Sequence, residues 1–430
     1  MLTPTPEQLD YQAEVRRLLT RSWPLASSRG ALEDGRPFDP AAWSALTGLG
    51  ATGLLVPAAF GGAGAGAAEA ALVSEELGRV LLPVPYVSGA VTAARLLSLL
   101  SPDPARDRYL AGIASGATIA TVAFLDDAGR WSPDRVAVRA EPAGAGSSEA
   151  GLAGAEPGGA GSSGAESSGV GPAEAGPGAG GLAGEQDWLL SGTVPFVADA
   201  GGADLVLVIG RTPAGLGVFA VEDTAALRPR QLSCLDPSQP LSRLPLDAVP
   251  ARRLPAAAEV EVIMADVVAT TIACLTASAV GGAERCLELS VEYAKTRVQF
   301  GKPIGSHQAI KHRCADMFAA VQSARSAVHH LLGRLDAETG PDKAGPDETG
   351  PDEETALAVS IAKAYCSDAF VRCARDTVQI HGGIGFTWEH DAHRYLRRAM
   401  AHAQLLGDAT YHRQLIAKHL GVARTEAPPA

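Results

Sequence analysis

A single helical pattern runs without interruption from Val260 to Thr296. Apolar residues recur along it at intervals of three and four, as they do on the buried face of an α-helix. Further helical patterns follow it at residues 307–336, 355–379, 389–403 and 409–420. Helices of this kind bury an apolar face by packing against one another. Residues 256–421 are therefore predicted to form a C-terminal four-helix bundle, or five helices if the last short one is counted.

The periodicity changes twice before this bundle. Residues 1–116 are predicted to form an N-terminal helical domain, with helices that include Glu7–Leu19, Ala67–Val80 and Val87–Leu100. Residues 117–255 are rich in β-branched residues and turn signals, which predicts a middle β-barrel or sandwich domain. Its expected strands lie at residues 118–124, 135–140, 188–197, 204–209 and 217–221. The order of helices, strands and helices predicts an α+β fold.

Three segments have no such periodicity. From about residue 141 to 186 the chain is almost entirely Gly, Ala, Ser, Glu and Pro, which predicts a disordered insertion. Residues 337–354 repeat Gly-Pro-Asp, and proline in each repeat excludes a helix, so an acidic loop is expected there. Residues 422–430 are expected to form a flexible tail.

Composition excludes several classes of partner. The net charge of −12 argues against nucleic acid or an anionic membrane surface, since either would require a basic face. No run of about 18 uninterrupted apolar residues is present, so no membrane span is expected. The first residues lack the pattern of a signal peptide, and the six cysteines lack metal-ligand spacing. These features predict a protein of the reducing cytoplasm.

Two segments between the helical patterns combine glycine, proline and polar side chains. They are Arg297-Val-Gln-Phe-Gly-Lys-Pro-Ile-Gly-Ser-His-Gln308 and Gln379-Ile-His-Gly-Gly-Ile-Gly-Phe386. Arg297 is a fixed positive charge that suits a pyrophosphate, and glutamine can both donate and accept hydrogen bonds. Gly383 and Gly385 allow backbone conformations that a Cβ would forbid. Each segment alone is an ordinary helix–helix turn, but together they indicate a ligand site.

Both segments resemble the FAD-binding turns of the acyl-CoA dehydrogenase family. Gly53–Gly66, with Ser74-Glu-Glu-Leu-Gly-Arg79 after it, is similar to part of that family's N-terminal helical domain. The resemblance implies FAD as cofactor and an acyl-CoA or acyl-carrier thioester as substrate. It also implies an electron-transfer flavoprotein-like acceptor and a homo- or hetero-oligomer built as a dimer of dimers.

The resemblance implies which residues contact FAD, partly the FAD of a neighbouring subunit. In the two C-terminal segments these residues are Arg297, Gln299, Phe300, Gln308, Gln379, Gly382 and Gly383. In the β domain, Phe196-Val-Ala-Asp199 stands where the family often has a Trp-Ile-Thr-Asn-like strand that packs on the flavin. Phe196 can still pack there, but Ala198 lacks the hydroxyl donor of threonine.

The base that removes the substrate's α-proton is the larger departure from the family. The Glu of most members corresponds to Leu406, and the Glu of a minority, on the first long C-terminal helix, corresponds to about Thr271. Neither residue is a carboxylate. Asp408 is the remaining candidate for a catalytic base, although it is also a suitable N-cap for the helix that begins near Ala409.

Histidines are numerous in the last part of the chain. They are His381, His390, His393, His402 and His412. His390 and His393 beside Glu389 could suggest zinc, but no third ligand or catalytic carboxylate is placed, so no metal is predicted. These histidines are expected on solvated helix faces.

Three functions are compatible with the resemblance. One is an FAD-dependent acyl-CoA dehydrogenase, which passes a hydride to flavin N5 and the α-proton to a carboxylate. The alternative is a non-catalytic partner subunit, similar to those of actinobacterial members that assemble as α2β2 heterotetramers, some of them acting on steroid side chains. Leu406 in place of the Glu is what such a subunit would show. A third option is another flavoenzyme on the same fold, such as an oxidase.

Overall fold

The computed structural model describes residues 4–23, 38–143, 188–339 and 350–422. Most of the predicted insertion at 141–186, most of the acidic loop at 337–354 and most of the tail at 422–430 lie outside these residues. Where their ends are described, they are ordered: a strand reaches Pro142, one helix reaches Thr339 and the next begins at Glu353. The acidic loop is shorter than predicted because Asp352 caps that next helix by accepting a hydrogen bond from Thr355 N at 2.7 Å.

The N-terminal part is helical, as predicted. Its described helices are α1 (Pro6–Ser22), α2 (Pro40–Gly48), α3 (Ala67–Val80), α4 (Ala94–Ser98) and α5 (Pro104–Ala114). Helices α1, α2 and α5 each begin with proline directly after a capping residue, namely Thr5, Asp39 and Asp103. Proline suits the first helical position because its missing N–H would have no partner there.

The predicted helix at Val87–Leu100 is only partly α-helical. Tyr86–Ala93 forms wider π-helical turns, which pass directly into α4. The Thr92 hydroxyl donates a hydrogen bond of 2.7 Å to the carbonyl of Val87, five residues earlier. Helical periodicity predicts the buried face of this segment but not its wider turn, which is a feature often found at functional sites.

The middle part is a β-barrel. Its strands are β1 (Ala120–Ala123), β2 (Arg139–Pro142), β3 (Trp188–Ala198), β4 (Leu205–Thr212), β5 (Gly215–Val221), β6 (Arg230–Gln231) and β7 (Leu241–Leu254). Antiparallel pairings run from β2 through β3 and β7 to β5. Strand β4 pairs with β5 on one edge and with β1 and β2 on the other, so the ring closes. The strand expected at 118–124 is shorter, and the strand expected at 135–140 begins later and ends at Pro142, since Pro133–Arg135 is a 3-10 turn.

The C-terminal part is a helical bundle, as predicted. Its described helices are α6 (Val260–Thr296), α7 (Gln308–Thr339), α8 (Glu353–His381), α9 (Ala392–His402) and α10 (Ala409–His419). A small hairpin of β8 (Val298–Gln299) and β9 (Lys302–Pro303) connects α6 to α7. Helix α6 is long and apolar enough to cross a membrane, but 78% of its most apolar window is buried inside the protein. It is therefore a core helix of the bundle.

Helices α3 and α6 pack closely enough to join the N-terminal part to the bundle. Glycine permits this approach: a Cβ on Gly78 would lie 2.0 Å from the carbonyl oxygen of Ser278. At the same interface Arg79 Nη1 lies 2.5 Å from Glu284 and Nη2 lies 2.6 Å from Glu288. These contacts fix helix α3 of the N-terminal part against helix α6 of the bundle.

Candidate functional site

A cavity with about 110 Å³ of enclosed space lies where the N-terminal helices, the barrel and the bundle meet. The π-helical segment contributes Ser88, strand β3 contributes Phe196, and helix α6 contributes Thr271. Leu406, between α9 and α10, closes another wall. A cavity at the junction of all three parts of a fold is a common position for a ligand site.

Both positions at which the family resemblance places a catalytic Glu line this cavity. Leu406 and Thr271 are 6% and 5% exposed, and neither side chain can carry a proton from substrate. The Thr271 hydroxyl donates to the carbonyl of Val267 at 2.7 Å and lies 3.0 Å from the Thr92 hydroxyl. The cavity therefore lies where the family resemblance places the catalytic base, but neither of these two positions carries a carboxylate.

Asp408 does not line the cavity in the described part of the chain. Its carboxylate accepts a hydrogen bond of 2.8 Å from Tyr411 N and caps the first turn of α10. This is the N-cap role that the sequence offers as the alternative, and it occupies one carboxylate oxygen. The catalytic role of Asp408 stays a prediction, and the observed geometry does not favour it.

The carboxylate that does line the cavity is Asp199, to which the sequence assigned no role. Ser88 Oγ donates a hydrogen bond of 2.6 Å to Asp199 Oδ2. Burial raises the pKa of Asp199 to about 6, against the opposing effects of Ser88 and the more distant Arg398. The available signal was the segment Phe196-Val-Ala-Asp199, in which a carboxylate replaces the amide of the family's Asn.

A buried ion pair borders the same cavity. Arg398 on α9 contacts Asp236, and its Nη2 donates to Ser238 Oγ at 2.6 Å. Burial alone would raise the pKa of Asp236, but the charge of Arg398 and the hydrogen bonds from Ser238 and Arg398 together lower the pKa of this carboxyl. The guanidinium of Arg398 thus already has two partners, which holds α9 against the barrel.

The first predicted FAD-binding segment forms an exposed hairpin outside the cavity. Phe300 and Gly301 connect β8 to β9, and both have positive φ angles, of 52° and 76°. Two such central residues are typical of a type I′ hairpin turn. The backbone carbonyl of Arg297 accepts from Ile304 N at 2.8 Å and closes the base of the hairpin. The side chains of Arg297, Gln299, Phe300 and Gln308 are exposed.

The second predicted segment is an exposed 3-10 turn at Gly382–Phe386. Gly382 has a φ of 64°, which favours glycine, whereas Gly383 and Gly385 do not have positive φ angles. Gly383 and Gly385 do not use the conformational freedom that glycine allows, because the chain turns at Gly382 directly after α8. Gly385 is needed for packing instead, since a Cβ there would lie 3.0 Å from the carbonyl oxygen of Val378. Gln379 is exposed.

An aromatic stack places the two segments at one end of the bundle. The rings of Tyr293, near the end of α6, and His381, the last residue of α8, stack with centroids 4.4 Å apart. The hairpin and the 3-10 turn follow these helix ends directly. Of the predicted cofactor residues, only Phe196 lines the cavity, and the seven of the C-terminal segments lie outside it.

The prediction that the five histidines lie on solvated helix faces is wrong for three of them. His381, His402 and His412 are 4%, 5% and 3% exposed. His412 contacts the carbonyl of Leu406 at 2.9 Å, and His402 lies 3.2 Å from Gln239 Nε2. Packing of α9 and α10 onto α8 and the barrel covers His402 and His412, and the rings of Tyr293 and His390 cover His381. Within the described residues no group of three His, Cys, Asp or Glu could hold a metal ion.

Comparison with protein families identifies the two helical parts. The model of the acyl-CoA dehydrogenase N-terminal domain matches residues 5–117, and that of the acyl-CoA dehydrogenase C-terminal domain matches residues 261–421. The chain is 29% identical to the acyl-CoA dehydrogenase IpdE2 of Mycobacterium tuberculosis, over 94% of each protein. It is 31% identical to the acyl-CoA dehydrogenase FadE34 of the same organism, over 93% of this chain and 46% of FadE34.

Solved structures give the same result for the fold. The ChsE4-ChsE5 complex from Mycobacterium tuberculosis superposes with a TM-score of 0.77, covering 99% of each chain at 24% sequence identity. Helices, barrel and bundle therefore have the arrangement of that fold. Both family models match, and IpdE2 of Mycolicibacterium smegmatis is 30% identical over 88% of each protein, so this chain belongs to the acyl-CoA dehydrogenase family.

Proposed function

We propose that this chain is a subunit of a heteromeric acyl-CoA dehydrogenase and that it completes the FAD site of a neighbouring catalytic subunit. The observation that carries the proposal is that the predicted cofactor residues of the C-terminal segments lie apart from the cavity. The seven cofactor residues of the C-terminal segments face outward, whereas the cavity holds Leu406 and Thr271 in place of a catalytic Glu. Such a chain can contribute to a cofactor site without removing a proton from substrate.

The residues of this chain fit the pyrophosphate of FAD but not its flavin ring. Arg297 is exposed and can bind a pyrophosphate, and nothing lies within 4 Å of a Cβ built on Gly382 or Gly383, so a ligand can approach that backbone. The cavity fits a flavin ring poorly, because Ala198 offers no hydroxyl. Its enclosed space of about 110 Å³ is also below the roughly 300–1,000 Å³ of common ligand pockets. In this proposal FAD supplies the hydride acceptor, and the neighbouring subunit supplies the carboxylate.

Exposed apolar side chains beside the two segments support a protein partner. Phe300, Phe386 and Trp388 are 92%, 72% and 71% exposed, and Ile384 is partly exposed. Large apolar side chains that remain in water beside a glycine turn are typical of an interaction surface. Phe300 keeps this exposure in a left-handed backbone conformation that is unfavourable for a side chain with a Cβ.

The likeness to ChsE4-ChsE5, a complex of two named chains, supports a heteromer rather than a homomer for this chain as well. We propose an acyl thioester, on CoA or on a carrier protein, as the substrate of the complex. An electron-transfer flavoprotein-like acceptor would then reoxidise the cofactor. All six cysteines are free thiols, which supports a reducing cytoplasm.

The test compares the full-length chain purified alone with the same chain co-expressed with a homologous subunit that carries the catalytic Glu. We expect little flavin absorbance from the chain alone. The complex should show a flavin band that bleaches anaerobically when acyl-CoA is added. Arg297→Ala in this chain should weaken FAD retention by the complex about tenfold or more, since a hydrogen bond to a charged group contributes about 1.5–3 kcal/mol.

Arg17→Ala is the matched control, because Arg17 is an exposed arginine on α1, outside the two segments. It should leave flavin content unchanged. A flavin band that bleaches in the chain alone would instead establish a self-sufficient dehydrogenase, for which Asp408 would be the candidate base. A complex that keeps all its flavin after Arg297→Ala would contradict the contact in trans.

A further inference from the structure

A lysine side chain is buried in the bundle without an acidic partner. Lys363 on α8 is 2% exposed, and within the described part of the chain no carboxylate pairs with its ammonium group. Its Nζ donates hydrogen bonds to Ser367 Oγ at 3.1 Å and to the carbonyls of His402 and Ala403 at 3.2 and 3.3 Å. All three acceptors are neutral. An ammonium group in such a site has lost its water without gaining a counter-charge, which costs free energy.

The two carbonyls lie at the end of α9, where an α-helix leaves its last carbonyls without intrahelical donors. In a continuing helix the carbonyl of His402 would accept from Leu406 N. Leu406 N instead donates to the carbonyl of Gly129, in the loop after β1, at 3.0 Å. Lys363 therefore takes the place of backbone donors at the point where the chain leaves α9.

Residues 403–407, which we call the Leu406 segment, follow directly after α9. Leu405 and Leu406 line the cavity, so this segment is one of its walls. Leu406 and Gly407 have positive φ angles, of 59° and 96°. This conformation is unfavourable for Leu406, which has a Cβ. The segment is thus held in place by its hydrogen bonds against the preference of its own backbone.

The other titratable groups that face Lys363 come from three helices. They are Cys366 and Asp368 on α8, His402 on α9, and Asp408 and His412 on α10. Two arginines, Arg398 on α9 and Arg130 after β1, add positive charge near the two histidines. The surroundings of Lys363 therefore combine charges of both signs, and none of the carboxylates is close enough to form an ion pair with it.

Burial separates the ranges in which these groups titrate. It lowers the pKa of His402 to about 3 and that of His412 to about 4, and it raises the pKa of Cys366 to about 12. It lowers the pKa of Lys363 to about 8, against smaller effects of Cys366, Asp408 and Asp368. Among the basic and thiol groups of this cluster, Lys363 alone titrates between pH 7 and pH 10.

We propose that Lys363 is a proton-dependent latch: its charged form favours release of the Leu406 segment, which lets water reach the ammonium group, and its neutral form keeps the segment closed. A neutral amine costs less free energy to bury than a cation, and its two N–H groups can still donate to both carbonyls. When the segment is open, Lys363 is solvated and returns towards its ordinary pKa of 10.5. The open state then binds more protons than the closed state, so a rise in pH closes the segment.

The latch uses neither the exposed hairpin nor the Gly382 turn. It concerns how one wall of the cavity moves and not what the chain binds, so the inference goes beyond the proposed role in a heteromer. Its test reads the Leu406 segment directly and does not depend on flavin.

The experiment measures amide hydrogen exchange of the Leu406 segment by mass spectrometry, with the full-length chain in the form in which it is purified, from pH 7 to pH 9.5. Each rate is divided by the intrinsic exchange rate at that pH, so that the ratio reports how often the segment opens. We expect protection to rise about tenfold or more, because each unit of pKa difference between open and closed states changes the opening equilibrium by up to about tenfold.

The same measurement in dilute urea separates local opening from global unfolding. Release of one short segment exposes little surface, so its exchange should be nearly insensitive to the denaturant. Protection that stays constant or falls as the pH rises would overturn the proposal. So would exchange that responds to urea as steeply as global unfolding does.

Three variants assign the effect to this lysine. Lys363→Met cannot titrate and should remove the rise of protection with pH, whereas Lys363→Arg stays charged and should keep protection low throughout. Lys418→Met is the matched control, since Lys418 is exposed on α10, and it should show the rise of the wild type. A rise that survives Lys363→Met would contradict the assignment. The pH series of the wild type tests the latch even if the variants at the buried position fail to fold.

Discussion

The ring of Tyr293 stacks on the ring of His381 at a centroid distance of 4.4 Å, and this contact connects the ends of helices α6 and α8. His381 in turn packs against His390 at 4.2 Å. The pKa of His381 is lowered, first by burial and also by His390, which favours the neutral form of the His381 ring near pH 7. The exposed hairpin after α6 and the 3-10 turn at Gly382–Phe386, which we assign to the FAD of a neighbouring subunit, follow this stack in the chain.

Tyr293→Ala should therefore weaken the cofactor site without removing any cofactor residue. An aromatic pair contributes about 0.5–1.5 kcal/mol beyond its buried area, so we expect flavin retention by the co-expressed complex to fall about three- to tenfold. Tyr293→Phe keeps the stacking ring and should retain the flavin of the wild type. Flavin content can be read from the absorbance of complexes purified in parallel. Equal loss in both variants would mean that the hydroxyl, and not the stack, matters.

How far the sequence predicts this fold depends on how long each pattern is. Helix α6 was predicted at Val260–Thr296 and is found with those bounds, because the apolar period of three and four persists over many turns. The π-helical turns at Tyr86–Ala93 were missed, since their apolar pattern is that of an ordinary helix. The Thr92 hydroxyl bond to the carbonyl of Val87 exists only once the wider turn has formed.

The candidate site also has features that the sequence predicts and features that it does not. The absence of a carboxylate at Leu406 and Thr271 could be read from the sequence, because it depends only on matching positions in the chain. Asp199 was missed because its importance comes from burial beside Ser88, which lies on a distant segment. The histidines on α9 and α10 were misplaced for a related reason: each short helix presents two faces, and tertiary packing decides which one is covered.

Gly281 is expected to be intolerant of any side chain. A Cβ there would lie 1.9 Å from the carbonyl oxygen of Glu75, at the interface of α6 with α3. Two helix backbones would have to move apart, so Gly281→Ala should lower the free energy of unfolding by about 3 kcal/mol. Gly48→Ala is the control, since a Cβ at Gly48 meets nothing within 4 Å. This control should be neutral or slightly stabilising in urea denaturation, because alanine favours helix over glycine. Similar midpoints for the two variants would contradict the close approach.

His412 is expected to make the protein less stable in mild acid. Burial lowers its pKa to about 4, so the folded state keeps the ring neutral while the unfolded chain takes up a proton near pH 6.5. The unfolded state then binds more protons, and stability falls as the pH drops from about 6.5 towards the folded pKa. Between pH 6.5 and pH 5 this group alone should cost about 2 kcal/mol.

The measurement is the urea midpoint of the wild type and of His412→Gln at several pH values. Glutamine can still donate to the carbonyl of Leu406 but does not titrate, so the difference between the two proteins should shrink as the pH falls from 7.5 to 5. His419→Gln is the control, since His419 is exposed on the same helix. A difference between wild type and His412→Gln that stays constant across this range would show that His412 titrates normally in the folded protein.

Asp199 should have the opposite effect on stability. Burial raises its pKa from 3.8 to about 6, so between these values the folded state holds a proton that the unfolded chain has released. The contribution of this group to stability is present in full below about pH 4 and is lost as the pH rises through about 6. Asp199→Asn keeps a neutral side chain that can still accept from Ser88. We therefore expect the variant to be about 2 kcal/mol more stable than the wild type at pH 7.5 and equally stable at pH 4, as measured by urea denaturation.

Asp127→Asn, at an exposed carboxylate, should show no such gain. A variant that is less stable than the wild type at pH 7.5 would mean that the charge of Asp199 is stabilised in the folded protein.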